Sequence, residues 1–147
     1  MFGDVKLEGV KGVLQNWEKL KEKERGKEGN DERGKTKEGL LGGVSLALPA
    51  LIQAQEYQDR AARVGFDWPE IEGVLDKIRE EIEEIKQAKD IDEVTAELGD
   101  LFFVLVNLAR WRKVDAESAL RGTNLKFKKR FGYVEQSAKK QGRNLSD

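Results

Sequence analysis

The chain has 147 residues, with 27 Lys plus Arg against 28 Asp plus Glu, a net charge of -1, and neither histidine nor cysteine. That length suits one domain with its own core, and the balanced charge excludes bulk attraction to nucleic acid or to an anionic membrane. Without His or Cys, imidazole bases, His-ligated zinc, thiolate ligands and disulfides are excluded, which leaves acid–base and metal work to Asp, Glu, Lys, Arg or Tyr.

Val10, Val13, Leu14 and Trp17 recur at helical spacing and predict a short amphipathic helix. From Glu18 to Glu38, 15 of 21 residues are charged and only Leu20 is apolar, so this stretch reads as a solvated connector. Residues 1–44 thus form an N-terminal helix and connector, and residues 45–147 the main domain. Pro49 opens a helix running to about Val64, with Gly65 just past its end. Asp67 and Glu70 suggest a capping box, after which Ile71, Val74, Leu75, Ile78, Ile82 and Ile85 form an apolar stripe. Asp90 or Asp92 starts the next helix, which reaches about Trp111. Asp115 caps the last, with Ala116, Leu120, Thr123, Phe127, Phe131 and Val134 on one side; Gly122 and Gly132 weaken it at about 1 kcal/mol each. No strand signal survives, so the fold reads as all-α, a bundle of four to five helices. The longest apolar run, LFFVLV at 101–106, is far below the roughly 20 residues that span a bilayer. The N-terminal MFGDVKLEGVK lacks the apolar stretch of a signal peptide, and a cytoplasmic location is the expectation.

Helical geometry selects among the acids. With Ile78 at the centre of its stripe, Glu81 falls about 60° to one side, Lys77 about 100° and Glu84 about 120°, while Glu80 and Glu83 point to water. On the next helix, centred on Leu101, Glu97 lies about 40° and Asp100 about 100° off the apolar axis, again on one shared side. A carboxylate so close to the core needs a partner or a cation. Two i, i+3 pairs on facing helices make an oxygen cage of the kind that holds magnesium. Other readings stay open at this level. The acids suit a solvated Lys/Glu-rich face, Glu97 suits an ion pair with Lys77 or Arg110, and Asn107 suits either a ligand or the backbone. Leu101 to Val106 is apolar around its whole circumference, which calls for cover on every side and points to self-association.

The ordered set Glu81-x-x-Glu84 and Glu97-x-x-Asp100, within VLDKIREEIEE and ELGDLFFVLVNLAR and flanked by ARVGFDWP and NLKFKKRF, resembles the ExxE…ExxD signature of the MazG-type all-α nucleoside triphosphate pyrophosphohydrolases. The similarity covers about residues 45–140 and is to the second, catalytic domain of two-domain members; relative to those, the chain lacks a preceding catalytic half. The resemblance implies hydrolysis of nucleoside triphosphates between the α- and β-phosphates to monophosphate and pyrophosphate, with broad, housekeeping specificity. It implies Mg²⁺, with Mn²⁺ as a substitute, and a helical bundle completed by a homodimer or higher homo-oligomer, with no membrane or nucleic-acid partner. Glu81, Glu84, Glu97 and Asp100 would be the metal-binding and catalytic residues, holding ions that activate a water for attack on phosphorus. Lys77, on the face of Glu81, would reach an anion or pair with an acid. Family matching favours Asn124, Lys126 and Arg130 as phosphate or sugar contacts, supplied by the same or a neighbouring subunit. Trp68 in GFDWP either stacks on a base or anchors a helix start. The alternatives are a narrower pyrophosphohydrolase for dUTP, dCTP or phosphoribosyl-ATP, and a non-catalytic helical dimerisation module.

Overall fold

Four helices follow one another: α1 (Ala50–Arg63), α2 (Ile71–Gln87), α3 (Ile91–Trp111) and α4 (Ala116–Lys140), with no strand among the described residues. The structure is a computed structural model and describes residues 39–146. The expected helix around Val10 to Trp17 and the connector from Glu18 to Glu38 lie outside the described residues.

Pro49 precedes α1 with φ -53°, the value its ring imposes and one ready for a helix start. The helix stops where Gly65 takes φ +87°, letting Gly65 N–H donate to Ala62 O at 3.0 Å and Phe66 N–H to Ala61 O at 3.0 Å. Arg60 donates to the carbonyls of Leu40 and Gly42, fastening the turn at 39–43 to α1.

The start of α2 departs from expectation. It begins at Ile71 behind an extended Glu70 that makes no side-chain cap, so Asp67 and Glu70 are not a capping box. The Asp67 carboxylate is instead taken by the Arg110 guanidinium, a charged and therefore stronger partner than a helix-end amide, and by the Trp111 indole N–H. Trp68 also precedes Pro69, and a residue before proline avoids helical backbone. The reciprocal cap lies one turn region later. Asp90 Oδ1 accepts from Glu93 N–H at 2.8 Å while Glu93 Oε2 accepts from Lys89 N–H at 2.9 Å, setting α3 in place.

Only Ala88, Lys89 and Asp90 separate α2 from α3, so the two form an antiparallel hairpin. Their contact is the most extensive in the fold; α1 packs on the other flank of α3, and α4 touches α1 and α3 but not α2. Val74, Val104 and Val106 are the buried apolar residues among those described, which puts the core on α3 and its hairpin partner. Gln55 ties the start of α4 to α1, donating to Val114 O and accepting from Ala116 N–H. Beyond that point α4 runs unbroken through Gly122 and Gly132 without one buried residue. Its expected stripe is therefore present but uncovered, with Phe127 69% and Val134 52% exposed.

Candidate metal centre

In an antiparallel hairpin, residues equally far from the turn face each other, and this register brings the acids of α2 onto those of α3. Carboxylate oxygens of Glu81, Glu97 and Asp100 lie within 4.8 Å of one another, a group that could hold a metal ion. Glu84 stands against Glu97, near enough for their carboxyls to share a proton. Three of the four acids singled out from spacing thus meet at one place, and Glu84 borders them through Glu97.

Glu81 is the deepest of them, 1% exposed. Its Oε1 is 3.2 Å from the Lys77 ammonium one turn back, while its Oε2 is buried with no hydrogen-bond partner among the described residues. A buried carboxylate oxygen without a donor is costly and calls for a proton or a cation. Burial first, and then hydrogen bonding and like charge from Glu84 and Glu81, push the Glu97 carboxyl up to about 8. Burial opposes the charge on Lys77, but hydrogen bonds and attraction from Glu80 and Glu81 outweigh it and hold the ammonium above its ordinary range. These are the electrostatics of a cluster with surplus negative charge. Hard oxygen donors in this number suit a hard divalent ion, so the residues present fit the metal that the resemblance implies.

The remaining residues fall in three places. Lys77 borders the cluster, held by Glu80 and Glu81 at 3.2 Å each. Trp68 is half-buried at the head of α2, its ring so close to Gly73 that a Cβ there would meet Cε3 at 3.0 Å. Asn124, Lys126 and Arg130 stand exposed along α4, a helix that touches α1 and α3 but not α2, which carries Glu81 and Glu84.

Spacing did not disclose the network at the far end of the hairpin. Arg110 joins Asp67 and also donates to Asn107 Oδ1 at 3.0 Å, so it is not the partner of Glu97, and buried Asn107 serves Arg110. The hairpin register was the available signal: it sets the segment before α2 opposite the end of α3, just as it sets Glu81 opposite Glu97.

Fold and site define an all-α protein with a carboxylate centre gripped between two antiparallel helices. Residues 70–134, which carry that hairpin and most of α4, match the MazG nucleotide pyrophosphohydrolase domain. The chain carries a MazG domain, and the resemblance read from its two acidic pairs holds. It is 46% identical over 116 residues to the nucleoside triphosphate pyrophosphohydrolase/pyrophosphatase MazG of Thermotoga maritima, which covers 79% of this chain and 46% of that protein. It is 38% identical over 151 residues to the nucleoside triphosphate pyrophosphohydrolase of Escherichia coli K12, covering 99% of this chain and 55% of that protein. The uncharacterized protein YabN of Bacillus subtilis is 39% identical over 151 residues, covering 100% of this chain and 29% of that protein. The chain spans about half the length of the first two relatives.

Proposed function

We propose that the chain is a Mg²⁺-dependent hydrolase that cleaves nucleoside triphosphates between the α- and β-phosphates, releasing monophosphate and pyrophosphate with broad base preference. The observation that carries this reading is the convergence of Glu81, Glu97 and Asp100 oxygens within 4.8 Å inside a MazG domain, around a buried Glu81 oxygen with no donor. Residues 45–147 form the catalytic unit.

Glu81, Glu84, Glu97 and Asp100 would hold the cation. When bound, it supplies positive charge to the triphosphate and makes water a better nucleophile near neutral pH. The chain's own groups do the rest. Burial on the hairpin keeps the carboxylates in register, and Lys77 adds positive charge at the rim, on the side where the phosphates would lie. Trp68, half-buried at the head of α2, would offer what remains open of its ring to the base.

Asn124, Lys126 and Arg130 would reach the phosphates or sugar from a second subunit, because α4 stands away from α2 in its own chain. The uncovered half of α3, where Phe102 is 58% exposed, and the apolar stripe of α4 support a homodimer that completes the bundle. Among the described residues no helix is long and apolar enough to cross a membrane.

A panel of ribo- and deoxyribonucleoside triphosphates, assayed with and without Mg²⁺ for monophosphate and pyrophosphate, tests the reading and its breadth. Turnover of one nucleotide alone would narrow the specificity. Glu97→Gln is expected to abolish Mg²⁺-dependent turnover with the circular dichroism spectrum unchanged. Undiminished hydrolysis by that variant would reject the site.

A further inference from the structure

The two oxygens of Glu81 stand in different surroundings. Oε1 is 3.2 Å from Lys77 Nζ, and Oε2 is buried with no donor among the described residues. Lys77 is itself restrained, since Glu80 Oε1 also lies 3.2 Å from its ammonium and its side chain is only 18% exposed. The order of the pair, Lys one turn before Glu, is the less favourable one for helix electrostatics, so helix stability explains little of the contact.

We propose that Lys77 makes Glu81 a one-oxygen ligand and thereby tilts the centre toward small octahedral cations and away from Ca²⁺. The inference rests on the metal reading given above. With one oxygen held by the ammonium, Glu81 offers only the other to an ion. Mg²⁺ and Mn²⁺ accept single oxygens in an octahedral shell, whereas Ca²⁺ takes more oxygens and gains from a carboxylate that chelates through both. A group that orients a ligand from behind tunes the ion without touching it. Lys77 acts here as a positioning residue.

The alternative role for Lys77 is plain charge compensation, and one ratio separates the two. Removing a positive charge strengthens binding of any divalent ion alike, so it cancels in the ratio of Ca²⁺ to Mg²⁺ dissociation constants. Releasing Oε1 favours Ca²⁺ alone and does not cancel.

The experiment is calorimetric titration of the full chain with Mg²⁺ and with Ca²⁺, without nucleotide, in wild type, Lys77→Met, Lys77→Ala and Glu80→Gln. Methionine keeps the apolar stem, and alanine keeps the helix should methionine disturb packing. Both Lys77 variants are expected to lower the Ca²⁺-to-Mg²⁺ ratio of dissociation constants about tenfold, the lower end of what losing an outer partner of a ligand does. Glu80→Gln leaves Lys77 on Glu81 and is expected to leave the ratio unchanged. If both affinities rise together in the Lys77 variants, Lys77 is only a local charge and the inference is overturned while the metal centre stands. If wild type binds neither ion, the metal reading and the inference fall together.

Discussion

Glu97 is the residue whose chemistry is most altered by its surroundings. Burial and the neighbouring Glu84 and Glu81 carboxyls raise it from 4.5 to about 8 in the metal-free protein. A raised carboxyl binds its proton more tightly folded than unfolded, so this contribution to stability is complete below about pH 4.5. It is lost as pH climbs through about 8, where the folded protein must carry another buried negative charge. Thermal melts in a chelator should therefore show stability falling across that window. Added Mg²⁺ should restore it most at the alkaline end, where the acids are ionised. A flat profile in chelator would mean that Glu97 is better solvated than its place against Glu81 and Glu84 indicates. Asp67 makes a second residue-scale prediction. It is held by Arg110 and Trp111 at the head of the hairpin, with side chains 26% and 13% exposed for Asp67 and Arg110. Asp67→Ala leaves a half-buried guanidinium without its carboxylate and should cost about 2 kcal/mol in denaturant unfolding.

At the scale of elements, the α2–α3 hairpin is the structural device that makes the site. Each helix alone carries an ordinary acidic edge; three linking residues and one cap bring the edges together. Asp90→Ala removes the acceptor for Glu93 N–H and should cost about 1 kcal/mol. The same change should weaken divalent-ion binding, because the cap sets the entry of α3 within two turns of Glu97. Calorimetry beside a denaturation curve checks both parts. The elements were largely legible in the sequence. Pro49 and Gly65 bracket α1, and Asp90 and Asp115 cap α3 and α4, because these residues act on backbone within a few positions. Asp67 misled for the complementary reason. Its spacing to Glu70 fits a local cap, but a guanidinium 43 residues on is the better partner.

The whole molecule poses the question of what covers it. Core burial among the described residues is confined to α3 and what packs on it, while Leu120, Phe127, Phe131 and Val134 stand on α4 facing outward. In the homodimer proposed above, a second copy covering this face is what would bring Asn124, Lys126 and Arg130 to the acids. Such a shared site makes complementation possible. Glu97→Gln and Arg130→Ala chains, each inactive alone, should regain roughly a quarter of wild-type activity when re-paired, since half the dimers are mixed and hold one intact site. No recovery in a mixture that sediments as dimers would place Arg130 with its own chain's acids or outside the site.

Spacing alone determined that the chain is helical, most of the helix ends, and which acids edge the apolar stripes, since each is a property of neighbours along the chain. It also excluded imidazole and thiolate ligands, since the chain has no His and no Cys. Only the tertiary structure decided that the two acidic edges meet, that Glu81 is buried with one oxygen on Lys77, and that Arg110 belongs to Asp67. Those facts depend on how the hairpin closes. Burial and charge partners are set by what lies across a helix interface, and no periodicity within one helix encodes its neighbour's register.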